Sequence, residues 1–106
     1  RLVGSAAARR VGEADALRLV GAASTVLGET GAAAAALARA LDLARAHCSL
    51  LIEAEVHEAR AQLYASLQQW AEAEREVADA RRLYRGLGTP AAEANLDQWY
   101  GGVRPE

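Results

Sequence analysis

His47 and Cys48, followed by Glu53 and His57, come nearest in this sequence to a metal-binding or nucleophilic set. Glu53 and His57 lie four residues apart, a spacing that puts two side chains on one face of a helix. A structural zinc site needs three or four ligands at recurrent spacings, and His47 and Cys48 fall in a break between helical runs without them. A cysteine nucleophile needs a base held in place by a third group, and the sequence supplies none for Cys48. Cys48 therefore reads as a small turn residue and His57 as a residue on a helix surface.

The remaining polar residues point the same way. Glu72, Glu74, Glu76 and Asp79 read as the solvated face of one helix, with Arg75 and Asp79 spaced for a surface pair. The glycines of Gly28-Glu29-Thr30-Gly31 form no phosphate loop, because no strand precedes them and no Lys-Ser/Thr follows. Neither catalysis nor a cofactor nor a metal is expected. The single cysteine allows no internal disulfide framework. A net charge of −2, with both signs interspersed, creates no field for nucleic acid or an anionic membrane. No apolar run approaches the roughly 18 residues of a membrane span, and nothing resembles a signal peptide, so a soluble, cytoplasmic chain is expected. Arginine supplies all 12 basic residues and methionine is absent, which suggests a GC-rich coding genome and a fragment of a larger parent that does not begin at Arg1.

Helix formers dominate, and β-branched residues nowhere alternate as a strand requires. The spacing predicts five helices. The first covers about 12–28, with Leu17, Val20, Ala23, Ser24 and Leu27 inward, and residues 1–11 read as the tail of an earlier helix. The second covers about 32–47, with Ala33, Ala36, Leu37, Ala40, Leu41 and Ala44 inward. The third covers about 50–68 behind a Ser49 cap, with Ile52, Val56, Ala59, Leu63 and Leu67 inward. The fourth covers about 71–86, its stripe of Ala73, Val77, Ala80 and Tyr84 opened by Trp70. The fifth covers about 90–100, where Thr89 caps and Pro90 takes the first helical position. The connections are short, so consecutive helices should be antiparallel neighbours.

A forty-residue register runs through these elements. Glu13-Ala14 recurs as Glu53-Ala54 and Glu93-Ala94. At the same offset Leu27 meets Leu67, Leu43 meets Leu83 and Arg45 meets Arg85, together with Ala33 and Ala73, Ala38 and Ala78, and Ala40 and Ala80. With 27 alanines in 106 residues, alanine matches alone carry little, and the leucine, arginine and glutamate matches carry the register. The chain is thus expected to be one all-α domain over residues 1–106, built from helix pairs at about 13–52 and 53–92 and a partial third at 93–106. Alanines seven residues apart on the second helix of each pair would let neighbouring axes approach toward the short end of the usual range of about 8–10 Å.

These residues resemble the tetratricopeptide repeat, whose pattern is W-x2-L-G-x2-Y, then A-x3-F-x2-A, then P. Leu17, Val20, Gly21 and Ser24, then Ala33, Leu37 and Ala40, stand on its positions in the first unit. In the second unit they are His57, Arg60, Ala61 and Tyr64, then Ala73, Val77 and Ala80, while Asp97, Tyr100 and Gly101 begin a third. His57, Arg60 and Ser24 depart from the pattern, and Arg45 and Arg85 stand where its proline would be. Units of forty residues exceed the family's usual 34 and are similar to the repeat regions of large bacterial transcriptional activators, whose repeat ends "ARRLYRGLGTPAAEA" resembles. The resemblance implies a stacked α-α superhelix with a partner-binding concave groove lined by Asp15, Arg18, Ala22 and Thr25, then Glu55, Glu58, Gln62 and Ala65. The family's lysine–asparagine clamp for a terminal carboxylate is absent, with Glu58 and Gln62 in its place, so an acidic tail is a poor ligand.

Three roles are therefore expected to compete. The first is a non-catalytic module that binds a protein or peptide segment, including another domain of its parent chain. The second is an effector-sensing, regulatory repeat region of a bacterial transcriptional activator. The third is a structural segment that forms a homodimer through its end helices, using Leu96, Trp99 and Tyr100 at one end and Leu2 and Val3 at the other.

Overall fold

Gly28, Cys48, Gln68 and Gly88 stand twenty residues apart, and each has left-handed backbone, with φ of 78°, 54°, 58° and 69°. In the computed structural model, which describes the backbone of residues 2–105 and the side chains from Ala6 to Pro105, each of these residues ends a helix. The helices are α1 (Leu2–Val26), α2 (Thr30–Ala46), α3 (Leu50–Ser66), α4 (Trp70–Leu87) and α5 (Pro90–Val103), with no strand among the described residues. At every turn the amide after the left-handed residue reaches back five positions: Glu29 to Ser24, Ser49 to Ala44, Gln69 to Tyr64 and Thr89 to Tyr84, at 2.8–3.1 Å. The left-handed residue itself bonds three positions back, to Thr25, Arg45, Ala65 or Arg85. This is the Schellman pairing, which satisfies carbonyls that a helix end otherwise leaves open. One turn repeated four times makes the helices an antiparallel series and places equivalent positions of successive pairs forty residues apart.

Two corrections concern how the helices begin. Residues 1–11 are not the tail of a separate helix, because α1 runs unbroken from Leu2 to Val26 through Gly12. A lone glycine costs a helix only about 1 kcal/mol, too little to end one without a cap or a proline. Ser49 and Thr89 occupy N-cap positions, but neither side chain makes a capping bond. The Thr89 hydroxyl instead donates backward to the Tyr84 carbonyl at 3.0 Å, which ties the end of α4 to the start of α5.

Consecutive helices pack together, and α1 also touches α3. The result is elongated, 51 × 32 × 17 Å. Among the described residues there are two hydrophobic clusters. Ala14 of α1, Ala33, Leu37, Ala40 and Leu41 of α2, and Ile52, Val56, Ala59 and Leu63 of α3 form the first. Ala54 and Ala61 of α3, Ala73, Val77, Ala80 and Tyr84 of α4, and Leu96 and Tyr100 of α5 form the second. Ala33, Ala40, Ala73 and Ala80 are each wholly buried, so the small-residue seams lie inside the contacts. Gly21 of α1 serves the same end, since a Cβ there would stand 2.5 Å from the side chain of Leu37.

The expected inward stripe of α1 is wrong in part. Ser24 is buried and Leu17 packs on the first cluster, whereas Val20, Ala23 and Leu27 face outward, Leu27 with 71% exposure. The buried line is Ala14, Gly21 and Ser24 instead, because α1 has described neighbours only on the side of α2 and α3. Leu67 is also exposed rather than inward. At the other end, Leu96 and Tyr100 do not form an open association face: they are 0% and 6% exposed, folded against α4 within the chain. Trp99 is partly buried, 6.0 Å from Tyr100 between ring centroids. The side chains of Leu2 and Val3 lie outside the described residues.

Two stability measurements follow from this geometry. Ala73→Leu and Ala80→Leu should each destabilise by about 1–3 kcal/mol through overpacking, whereas the exposed Ala71→Leu should be near neutral. Urea midpoints equal for all three would exclude a close seam. At the turns, Cys48→Gly or Gln68→Gly should raise stability by about 0.5–1 kcal/mol. Relief of the left-handed strain, about 1–2 kcal/mol, exceeds the added freedom of the unfolded chain, about 0.4–1 kcal/mol. A lowered melting temperature in both variants would contradict that turn geometry.

Candidate functional site

Helix α3 carries polar residues on two opposite sides. On one, Glu53, His57 and Arg60 lie between α2 and α4. On the other, Glu55, Glu58 and Gln62 face α1.

His57 is not a surface residue. It is 3% exposed, and its Nδ1 donates to Glu76 Oε1 of α4 at 2.7 Å. Its Nε2 faces Glu53 Oε2 at 3.8 Å, too far for a hydrogen bond, and has no partner. Arg60 lies 3.5 Å from the second oxygen of Glu76, and Arg45 donates to Glu53 at 3.1 Å. Glu76 is therefore not part of a solvated face, as its neighbours on α4 suggested. The close α3–α4 seam brings its carboxylate over the imidazole. The expected Arg75–Asp79 pair is also replaced: Arg75 lies near Glu72 and Arg82 near Asp79. His47 and Cys48 are exposed in their turn, and no three His, Cys, Asp or Glu side chains converge to hold a metal among the described residues. The seam reads as structural: an imidazole clamped by a carboxylate, with guanidinium groups neutralising the rest.

The opposite side of α3 is concave. Arg18 and Ala22 of α1, Glu55, Glu58, Ala59 and Gln62 of α3, and Tyr84 of α4 line a depression of about 150 Å³. It shares Ala22 and Gln62 with a larger apolar depression of about 410 Å³ that adds Thr25, Val26, Ala65, Ser66, Trp70, Trp99 and Val103. The two form one groove with a polar end and an apolar end. Seven of the eight positions that the resemblance named, Arg18, Ala22, Thr25, Glu55, Glu58, Gln62 and Ala65, line it. Asp15 reaches it through Arg18, whose Nε and Nη2 donate to Asp15 Oδ1 at 2.9 and 2.8 Å. Sequence reasoning missed Tyr84, Trp70, Trp99 and Val103, which come from helices outside the first two units' leading positions. The only available signal was that the two tryptophans are the chain's only ones.

Charge at the polar end is unbalanced. Arg18 gives both hydrogen bonds to Asp15 and stands 3.9 Å from Glu55, so it compensates Glu55 only partly. Burial pushes the Glu55 carboxyl above the usual glutamate range, Arg18 pulls it back, and Asp15 and Glu58 push it up again. A folded-state pKa above the unfolded value means that ionising Glu55 opposes folding as pH rises through that window. The Tyr84 hydroxyl donates to Glu58 Oε1 at 2.8 Å, and burial together with this bond keeps the phenol protonated well beyond its ordinary range.

The seam can be tested by Glu76→Ala, which leaves the buried His57 donor unpaired and should cost about 1–3 kcal/mol in urea unfolding. Glu74→Ala, on the exposed face, should change stability by less than about 0.5 kcal/mol. Equal effects would show that the imidazole does not depend on Glu76. Among the described residues no helix is long and apolar enough to cross a membrane. Set against known proteins, the chain matches no family model, no curated protein and no solved structure.

Proposed function

We propose that the chain is a non-catalytic interaction module, a stack of tetratricopeptide-like helix pairs whose groove holds a segment of another protein or of another domain of its parent. The observation that supports this reading is the continuity of the groove across α1, α3 and α5, the leading helices of the three units. Helices α2 and α4 supply the packing behind it and contribute only Tyr84 and Trp70. A surface in which the leading helix of each unit faces one concavity suits an extended partner that contacts all three. The paired polar and apolar ends supply orientation as well as burial.

A second reading, effector sensing in a bacterial transcriptional activator, draws on the apolar end alone. Its volume of about 410 Å³, with two tryptophans in the lining, falls within the range of about 300–1,000 Å³ typical of small-molecule sites.

Peptides selected from a random displayed library on the immobilised chain test the first reading. Ala22→Trp, which fills the junction of the two depressions, should weaken the selected peptides about tenfold or more, a loss of about 1.4 kcal/mol. Ala78→Trp, at an exposed site on α4, should leave binding unchanged. Peptides indifferent to Ala22→Trp would show that the groove is not the binding surface.

A further inference from the structure

We infer that the groove takes an extended polypeptide segment carrying an arginine or lysine three or four residues away from a large apolar residue. The inference rests on the interaction-module reading and adds the chemistry of the partner. The cation would sit at the polar end and the apolar side chain in the cavity between Trp70 and Trp99.

Charge complementarity selects the cation. Asp15, Glu55 and Glu58 place three carboxylates at the polar end against the single guanidinium of Arg18, leaving a net −2. Arg18 is committed to Asp15, and Tyr84 occupies one oxygen of Glu58, so neither neutralises Glu55. An incoming guanidinium or ammonium removes that imbalance, and a carboxylate would enlarge it. Burial raises the proton affinity of Glu55, Arg18 lowers it, and the nearby carboxylates of Asp15 and Glu58 raise it further.

The spacing comes from helix geometry. Glu58 and Ser66 are eight residues apart on α3, which is about 12 Å along the axis at 1.5 Å per residue. An extended peptide rises about 3.3 Å per residue, so three or four residues cover that span. The apolar end then receives the second anchor, lined by Val26, Ala65, Trp70, Trp99 and Val103.

The probe is a displayed library of random peptides selected on the full chain, with enriched sequences synthesised and titrated by tryptophan fluorescence. Trp70 and Trp99 are the only tryptophans and both line the apolar end; Trp70 also borders a second depression with Glu74, Tyr100 and Arg104, so a fluorescence change is assigned to the groove only where Ala22→Trp weakens binding. The expected result is enrichment of Arg or Lys three or four residues from Leu, Ile, Val or Phe. Binding should weaken about tenfold in the Glu55→Gln/Glu58→Gln double variant, and with added salt. Glutamine still accepts from Tyr84, and an unchanged circular dichroism spectrum with a urea midpoint no lower than that of the parent chain would exclude misfolding as the cause. Enriched peptides that are acidic or uncharged, or that ignore the double variant yet are blocked by Ala22→Trp, would overturn the cation while the groove stands. Peptides unaffected by Ala22→Trp, or no enrichment at all, would overturn both.

Discussion

Helix α3 has to bury two faces at once, and the rest of the structure depends on that constraint. Ile52, Val56, Ala59 and Leu63 complete the first cluster, while Ala54 and Ala61 complete the second. A helix apolar on two sides keeps only narrow strips for polar residues, and α3 has one strip between each pair of neighbours. The strip toward α1 carries Glu55, Glu58 and Gln62 and becomes the groove. The strip between α2 and α4 carries Glu53, His57 and Arg60 and becomes the ion-pair seam. Alanine at 54, 59 and 61 makes this possible, because short side chains let α2 and α4 approach until Glu76 reaches His57 and Tyr84 reaches Glu58.

The forty-residue register has a physical source in the joints between units. Arg45 at the end of α2 pairs with Glu53 at the start of α3, and Arg85 at the end of α4 pairs with Glu93 at the start of α5. Two of the matches that made the repeat readable, the arginines and the Glu-Ala dipeptides, are thus the two halves of one recurring bridge. At each of these joints the ion pair tethers the chain reversal between one helix pair and the next. Such exposed pairs contribute little energy individually. Their recurrence with four identical turns fixes where each helix stops relative to the next.

Helix existence and order were legible in the sequence because they depend on local signals: the apolar spacing, the short breaks between helical runs, and Pro90 after Thr89. Most groove positions on α1 and α3 were named through the resemblance to the tetratricopeptide repeat, which implies a groove lined by the leading helix of each unit, and not through composition or periodicity. What was not legible depends on which neighbours a helix has. Val20 and Leu27 belong to an apolar pattern, yet α1 has no described partner on that side. Leu96 and Tyr100 looked like an open end, yet α5 turns them onto α4. His57 and Glu76 are nineteen residues apart on different helices, and no periodicity within one helix can pair them.

The polar end of the groove departs from the pattern at the other described inter-helix contacts. Those are mostly apolar, and their carboxylates meet basic partners, as Glu76 and Glu93 do. At Glu55 a carboxylate is partly buried, its guanidinium neighbour is bonded to another residue, and its ionisation works against the fold. Gln62, about two turns further along α3, and Ala22, across on α1, show that neutral residues fit the same wall. A local arrangement that lowers stability while neutral alternatives fit beside it is characteristic of sites kept for what they bind rather than for what they hold together. The seam on the far side of α3 makes the contrast: its carboxylates lie deeper, yet Glu53 and Glu76 each meet a guanidinium, from Arg45 and Arg60.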